Sequence, residues 1–313
     1  MRIHFLFLAL CMVLTTACYK VSHDIDPQFC YAVQDRYIKQ LPKNFSTLSE
    51  QERKEEWGKE YLIAQNFARE IDLYRAITTF KRSEFLCPQY HLKRLEEIQY
   101  QILLSYYLGQ RYDEVVQKFD HSYLSQVQPS FPAYHDLLII MYDTYLKIGQ
   151  REKADYILRL TQYYYPEEFT KLKISTALIE GDLPALRQQH SEGSYPMQFV
   201  ETYDAKKKSV SKAQWANALL PGAGYLYVGQ KQSALTAFLL NALFIYAAFH
   251  FYSKGNIAAG VITTSFEMGW YCGGIYGSGE AAKTYNERLY EKQTYSFLHR
   301  NKLFPVLMLQ YGF

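Results

Sequence analysis

The chain lacks a charge imbalance. Its 34 Lys and Arg stand against 31 Asp and Glu, so nothing favours a polyanion, and nucleic acid is not an expected partner. It also has few chain breakers. Only 16 Gly and 10 Pro occur in 313 residues, a composition that suits long helices. Tryptophan is scarce, at 3, whereas tyrosine reaches 30, which fits helices with half-buried surfaces. The five cysteines, at positions 11, 18, 30, 87 and 272, form no C-x-x-C pair. That excludes the zinc-ribbon and thioredoxin patterns, and no metal is expected. Histidines 91, 121, 135 and 190 are scattered, no Ser or Cys sits in a nucleophile motif, and no carboxylate pair stands out. The expectation is therefore a protein that is not an enzyme, with no catalytic residue, no cofactor and no small-molecule substrate.

What the chain does have is two long apolar runs. Ser233 to Tyr252 is 20 residues without an Asp, Glu, Lys or Arg, and Ile257 to Tyr276 is equally long with one charge, Glu267. At helical rise each reaches about 30 Å, the thickness of a bilayer's hydrocarbon core. Ser253-Lys254-Gly255-Asn256 reads as the turn between them, so a two-helix transmembrane hairpin is expected. Counting outward from that turn brings Asn241 and Glu267 to the same depth. They are expected to form an intramembrane polar pair, an amide and a carboxyl satisfying each other where a lone charge would be costly. Gly269, Gly273 and Gly277 recur every four residues, a small-residue stripe that lets a helix approach closely. Packing within the hairpin and docking of another helix are both open readings of it.

Before the first apolar run lies Pro221-Gly222-Ala223-Gly224-Tyr225-Leu226-Tyr227-Val228-Gly229-Gln230. Pro-Gly-x-Gly cannot sit inside a regular helix, and Tyr225 and Tyr227 suit the water–lipid boundary. There is no Lys-Ser/Thr after the glycines, so this is not a phosphate loop. The string resembles the glycine-rich turn of small TM2-type two-helix membrane modules. The positions that match are Pro221, Gly222, Gly224, Tyr225, Tyr227, Gly229 and Gln230, and the resemblance implies no defined activity. Lys206-Lys207-Lys208 in front of it is placed to meet anionic headgroups.

The N-terminus reads as an export signal. Arg2 and His4 flank a short apolar core ending in Thr15-Thr16-Ala17-Cys18. A Cys after Ala17 resembles the bacterial lipoprotein signal, which implies lipidation of Cys18; ordinary cleavage after Ala17 is the alternative. A cleaved signal places the following domain outside the cytoplasm, although Lys206, Lys207, Lys208, Lys212 and Lys231 in front of the hairpin favour the opposite by the positive-inside rule.

The middle repeats. Ile63, Ile102 and Met141 are 39 residues apart, and so are Phe67, Tyr106 and Tyr145, and Ala76, Val115 and Ala154. Phe80, Phe119 and Leu158 follow, then Ser83, Ser122 and Thr161. Each copy reads as two helices, with Gly109 and Gly149 marking the hinge. Asp26-Pro27 is expected to open an earlier helix, and Ser49-Glu50-Gln51-Glu52 is a capping box. The order Ala76, Phe80, Ser83, Pro88 resembles the tetratricopeptide repeat (TPR), though the family's period is about 34 residues. The resemblance implies a solenoid with a surface for a peptide or protein. Apolar residues at 307, 309 and 311 with a final Phe suggest one strand or extended segment packed on the protein.

Together these give an all-α chain: a TPR-like helical-hairpin solenoid followed by a two-helix transmembrane hairpin. The expected parts are a signal peptide (1–17), the solenoid (18–205), the membrane module (206–290) and a tail (291–313). The expected role is a non-enzymatic, membrane-anchored scaffold in the bacterial cell envelope, periplasmic, touching membrane lipid and an envelope protein or peptide. The alternative is an accessory subunit of a membrane assembly or transport complex that docks through the hairpin.

Overall fold

A computed structural model describes residues 21–22, 24–29, 35–189 and 194–313. The expected signal peptide and Cys18 lie outside these residues. Every described element is helical. The chain divides into two compact units, each assembled from non-contiguous segments. One combines residues 30–178 with 296–313, and the other combines 1–29 with 179–295. This differs from the linear division expected, because the tail returns to the first helices and residues 179–205 leave them.

In the first unit, α1 (Asp35–Gln40) and α2 (Glu50–Lys54) precede three antiparallel helix pairs. These are α3 (Glu56–Arg69) with α4 (Leu73–Leu86), α5 (Leu92–Leu108) with α6 (Tyr112–Asp120), and α7 (Tyr134–Lys147) with α8 (Arg151–Tyr164); α9 (Pro166–Glu180) follows them in the chain. The capping box forms as read: the Glu52 amide donates to Ser49 Oγ at 3.2 Å, and the Ser49 amide donates to Glu52 Oε2 at 2.7 Å. The helix expected from Asp26-Pro27 is not there. Residues 24–29 have no regular secondary structure, and Asp35–Gln40 is helical.

The turns inside the three pairs are alike. Ile71, Gln110 and Gly149 take left-handed φ values of 63°, 56° and 74°, and they stand 39 residues apart. In each turn the next amide closes a six-residue loop, from Asp72, Arg111 and Gln150 to the carbonyls of Phe67, Tyr106 and Tyr145 (2.9, 2.9 and 2.8 Å). This is the Schellman pattern that satisfies helix-end carbonyls. In the second turn the left-handed residue is Gln110 rather than the expected Gly109, which stays at φ −79° as the C-cap. Ala76, Val115 and Ala154 are all fully buried. Phe67 is half-buried while Tyr106 and Tyr145 are buried, and Ile63 is exposed while Ile102 and Met141 are buried. The first copy thus has an open side that the later ones lack.

The returning tail completes this unit. Residues 303–309 are buried throughout, as are Gly312 and Phe313. A single turn, α16 (Pro305–Met308), replaces part of the expected strand; Pro305 at its first position favours a helical start.

The second unit holds α10 (Leu183–Gln189), α11 (Tyr195–Lys206), α12 (Val210–Leu219), α13 (Ala223–Val228) and α14 (Lys231–Ser253). It also holds most of α15, which runs unbroken from Ile257 to Arg300, 44 residues. The expected second span is therefore the start of a much longer helix. Val21, Val210, Ala213, Val228 and Ala282 form one buried cluster flanked by Tyr227, Tyr276 and Tyr285. Nearby on α15, Tyr290 is enclosed by the rings of Phe29, Phe199 and Tyr203, with centroids 6.4, 5.6 and 5.3 Å away. Residues 24–29 are pinned by main-chain donation, Asp26 to Glu287 (3.4 Å) and Gln28 to Glu291 (2.9 Å).

Candidate functional site

Two places carry the features that sequence marked or overlooked. The first is the glycine-rich turn and the two apolar helices after it. Leu220 ends α12, and Gly222 takes φ +91°, a conformation few side chains tolerate, while its amide donates to Asn217 Oδ1 at 2.9 Å. At Gly224 a Cβ would overlap the Ala213 carbonyl and crowd the Ser278 and Asn217 side chains at 2.7 and 2.8 Å. The second glycine of Pro-Gly-x-Gly is thus where α12, α13 and α15 meet. Around it α15 reaches back twice: Ser278 Oγ donates to Ala213 O (3.2 Å), and Tyr271 Oη donates to Ala218 O. Farther along, Asn286 brackets Lys208, accepting from its amide at 2.7 Å and donating to its carbonyl at 2.8 Å. Gly229 ends α13 at φ +93°, and Gln230 caps α14. Tyr225 sits against Gly277, and Tyr227 accepts from the Ser209 amide at 3.2 Å. Of the basic run, Lys207 pairs with Asp204 (2.8 Å) and Lys208 lies over the Tyr227 ring (4.9 Å).

Helix α14 is long and apolar enough to cross a membrane. Leu235, Phe238, Leu239, Leu243, Ile245 and Phe249 are all exposed on it. An apolar surface of that extent marks contact with lipid or protein. The start of α15 exposes Ile257, Ile262, Phe266 and Trp270 as well, but Glu267 and its hydroxyl neighbours make it the more polar of the two. Among the described residues α14 is the one helix that meets the criterion.

The polar pair expected at depth is not a hydrogen-bonded pair. Asn241 is 3% exposed, and its Nδ2 donates to Ala237 O, one turn back on its own helix, at 2.6 Å. Its Oδ1 and the Glu267 Oε2 are both buried without a partner. Equal depth, which counting from the turn supplied, does not fix the rotation that would face the two side chains together. The glycine stripe divides. Gly277 is closed by Tyr225, whereas a Cβ at Gly269 or Gly273 would meet nothing within 4 Å. Those two open onto a cleft of about 780 Å³ with Tyr225, Thr236, Phe266 and Trp270 on its walls.

The second place went unmarked in the sequence, and it lies in the helix-pair unit. Asp136 is fully buried in the first turn of α7. Its carboxylate accepts from the main-chain amides of Gln310 (3.1 Å) and Tyr311 (3.0 Å) and from His135 Nδ1 (2.8 Å). Tyr37 Oη donates to Leu307 O and Leu309 O at 2.8 and 2.9 Å, and Gly312 N donates to Pro42 O at 3.0 Å. The tail is therefore held by its main chain. A second charged network joins the first two pairs: Arg94 donates to both oxygens of Glu52 (2.8 and 3.1 Å), to Glu97 (2.6 Å), and to the Ser46 and Thr47 carbonyls (2.9 and 3.2 Å). Glu97 also accepts from Tyr61 Oη, and Tyr61 accepts from Gln65 (2.8 Å). The bond from Arg94 holds the Glu52 carboxyl down at about 2, while burial pushes Glu97 up. The one clue in sequence was a charge within a run of apolar residues, as at Asp136 and Asp143 in α7.

No cluster of metal-binding side chains occurs among the described residues. No protein-family profile, curated protein or solved structure matches this chain.

Proposed function

We propose that the chain is a non-enzymatic, membrane-anchored scaffold, in which the helix-pair unit is a TPR-like solenoid that binds other envelope proteins. In this reading α14 and the first half of α15 form a transmembrane hairpin. Cys18 is a lipid anchor, and the solenoid stands on the periplasmic side of a bacterial envelope. One observation carries the hairpin: residues 30–178 and 296–313 belong to one compact unit, and the apolar helices lie between them in the chain. A unit whose two segments flank the membrane region must have both on one side, so the crossings between them are even in number. With α14 as one crossing, the start of α15 is the other. The exposed apolar residues on both helices support lipid contact.

The test is labelling with a membrane-impermeant maleimide, in sealed vesicles of known orientation and a background with Cys30, Cys87 and Cys272 replaced by Ala. Lys54→Cys and Asn301→Cys are expected to react from one face and Lys254→Cys from the other. Reaction of Lys254→Cys on the same face as Lys54→Cys removes the hairpin. Reaction of Asn301→Cys on the opposite face from Lys54→Cys removes the parity argument. Labelling with radioactive palmitate, wild type against Cys18→Ala, tests the lipid anchor separately.

One observation favours the second reading, an accessory subunit of a membrane assembly. Gly269 and Gly273 face open space, and small residues left open on a span are where another helix approaches closely.

A further inference from the structure

In the second unit α12 runs antiparallel to α15, and the contacts between them form a ladder. Asn286 brackets Lys208 just ahead of α12, and Ala213 O accepts from Ser278. The Asn217 amide nitrogen lies 3.1 Å from where a Cβ on Gly274 would stand, and Ala218 O accepts from Tyr271. Each step forward along α12 is met by a step back along α15, so the ladder is a depth gauge. The apolar run of α15 ends at Tyr276. Lys212 stands level with residues beyond that end, and Trp215 stands level with the end itself. Leu219 and Leu220 stand level with Tyr271, about 7 Å inside it at helical rise. Helix α14 gives the turn a similar level. A Cβ on Gly222 would lie 2.3 Å from the Ala234 carbonyl, and Ala234 belongs to the apolar run that starts at Ser233.

The side chains follow this gauge. The inner face of α12 buries Val210, Ala213 and Asn217. Its outer face exposes, in order of depth, Lys212, Trp215 and Leu219, the last by 84%. Leu220 and Leu226 are exposed beside them. A cation, then an amphipathic ring, then aliphatic side chains is the order of headgroup, interface and hydrocarbon in one leaflet. No Asp or Glu occurs between Asp204 and Glu267, so no acid on this segment repels an anionic headgroup. Backbone outside a regular helix is tolerated at membrane depth only where the protein satisfies it. Here the Gly222 amide donates to Asn217 Oδ1 and the Ala223 amide to Leu220 O, both at 2.9 Å, and Tyr271 Oη serves the Ala218 carbonyl.

We propose that α12 and α13 form a re-entrant hairpin that dips into the leaflet where α14 begins and turns back within it. Leu219 and Leu220 meet acyl chains, Trp215 lies at the interface, and Lys212 stands among the headgroup phosphates. The inference rests on the transmembrane-hairpin reading and adds a third membrane-inserted element to it. The test attaches nitroxide spin labels, one at a time, to Lys212→Cys, Leu219→Cys, Leu220→Cys and, as a lipid reference on α14, Leu239→Cys. The full-length chain carries them in the cysteine-replaced background, reconstituted in vesicles of phosphatidylethanolamine and phosphatidylglycerol. Power-saturation electron paramagnetic resonance reads collision with oxygen, which concentrates in hydrocarbon, and with a polar nickel chelate, which hydrocarbon excludes. Leu219→Cys and Leu220→Cys should match Leu239→Cys for oxygen and fall at least about tenfold below Lys212→Cys for nickel. Nickel collision as high as at Lys212→Cys would put the turn in water. Low collision with both probes would put it under protein, whether a second copy or another partner. Either result overturns the proposal. If Leu239→Cys stays lipid-like while the turn does not, the re-entrant hairpin alone fails; if Leu239→Cys also meets nickel freely, the membrane reading fails with it.

Discussion

Replacing Asp136 tests whether the tail is a true part of the helix-pair unit. In Asp136→Ala, three donors around a buried carboxylate lose their acceptor: the part-buried amides of Gln310 and Tyr311 and the buried His135 Nδ1. Leaving a buried donor unsatisfied costs about 1–3 kcal/mol. The three costs do not simply add, because the tail can lift away and let water reach all of them together. A total of about 3–5 kcal/mol is expected, near the upper end for a single substitution. Tyr37→Phe is the graded control. It removes one hydroxyl serving two carbonyls, which still reach water when the tail frays, so about 1 kcal/mol is expected. Hydrogen exchange read by mass spectrometry on the C-terminal peptide reports docking directly. A loss of 3 kcal/mol corresponds to roughly a hundredfold faster exchange in that peptide. If Asp136→Ala leaves exchange there within about threefold of wild type, the carboxylate does not hold the tail. The parity argument for the membrane hairpin then loses its footing as well.

Equivalent turns should respond in opposite directions to opposite substitutions. Gly149→Ala puts a Cβ at φ +74° and should cost about 1 kcal/mol, whereas Gln110→Gly relieves the same strain at φ +56° and should gain about 0.5–1 kcal/mol, both measured by denaturant unfolding. Like signs would mean that the turns are not equivalent. Glu52 is held at about 2, below its ordinary 4.5, chiefly by its bond from Arg94. Its stabilising contribution is therefore present above pH 4.5 and lost as pH falls towards 2. Glu52→Gln should be less stable than wild type at neutral pH, with the gap closing between pH 4.5 and 2; a gap independent of pH refutes this. Asn241 and Glu267 make no bond to each other, so a double-mutant cycle with Asn241→Ala and Glu267→Gln should give a coupling below about 0.5 kcal/mol. A coupling above 1 kcal/mol would show that the two side chains meet.

Periodic features were the most legible in the sequence. The 39-residue spacing located Ala76, Val115 and Ala154, all fully buried, and the left-handed turn residues Ile71, Gln110 and Gly149 recur at the same spacing. The capping box was equally readable, since Ser49 and Glu52 need only each other and the local backbone. The Pro-Gly-x-Gly string announced a special turn, but the reason for Gly224 lies in Ala213 and Ser278, 11 residues before it and 54 after it. No local rule could have supplied that contact. The polar pair failed for a related reason. Helical rise sets depth, but facing is set by how two helices rotate against each other, and that depends on packing along their whole length.

Asp136 shows where such reading ends and why the result bears on function. Its place in an apolar helix marks it as unusual, but nothing near it in sequence reveals its two main-chain donors, which lie 174 and 175 residues away. A buried carboxylate on an apolar helix needs donors, and the nearest side chains supply only one, His135. The remainder must come from main chain without a helical partner of its own, which is what an extended tail provides. In the helix-pair unit, then, one buried acid is satisfied by a distant segment of the same chain.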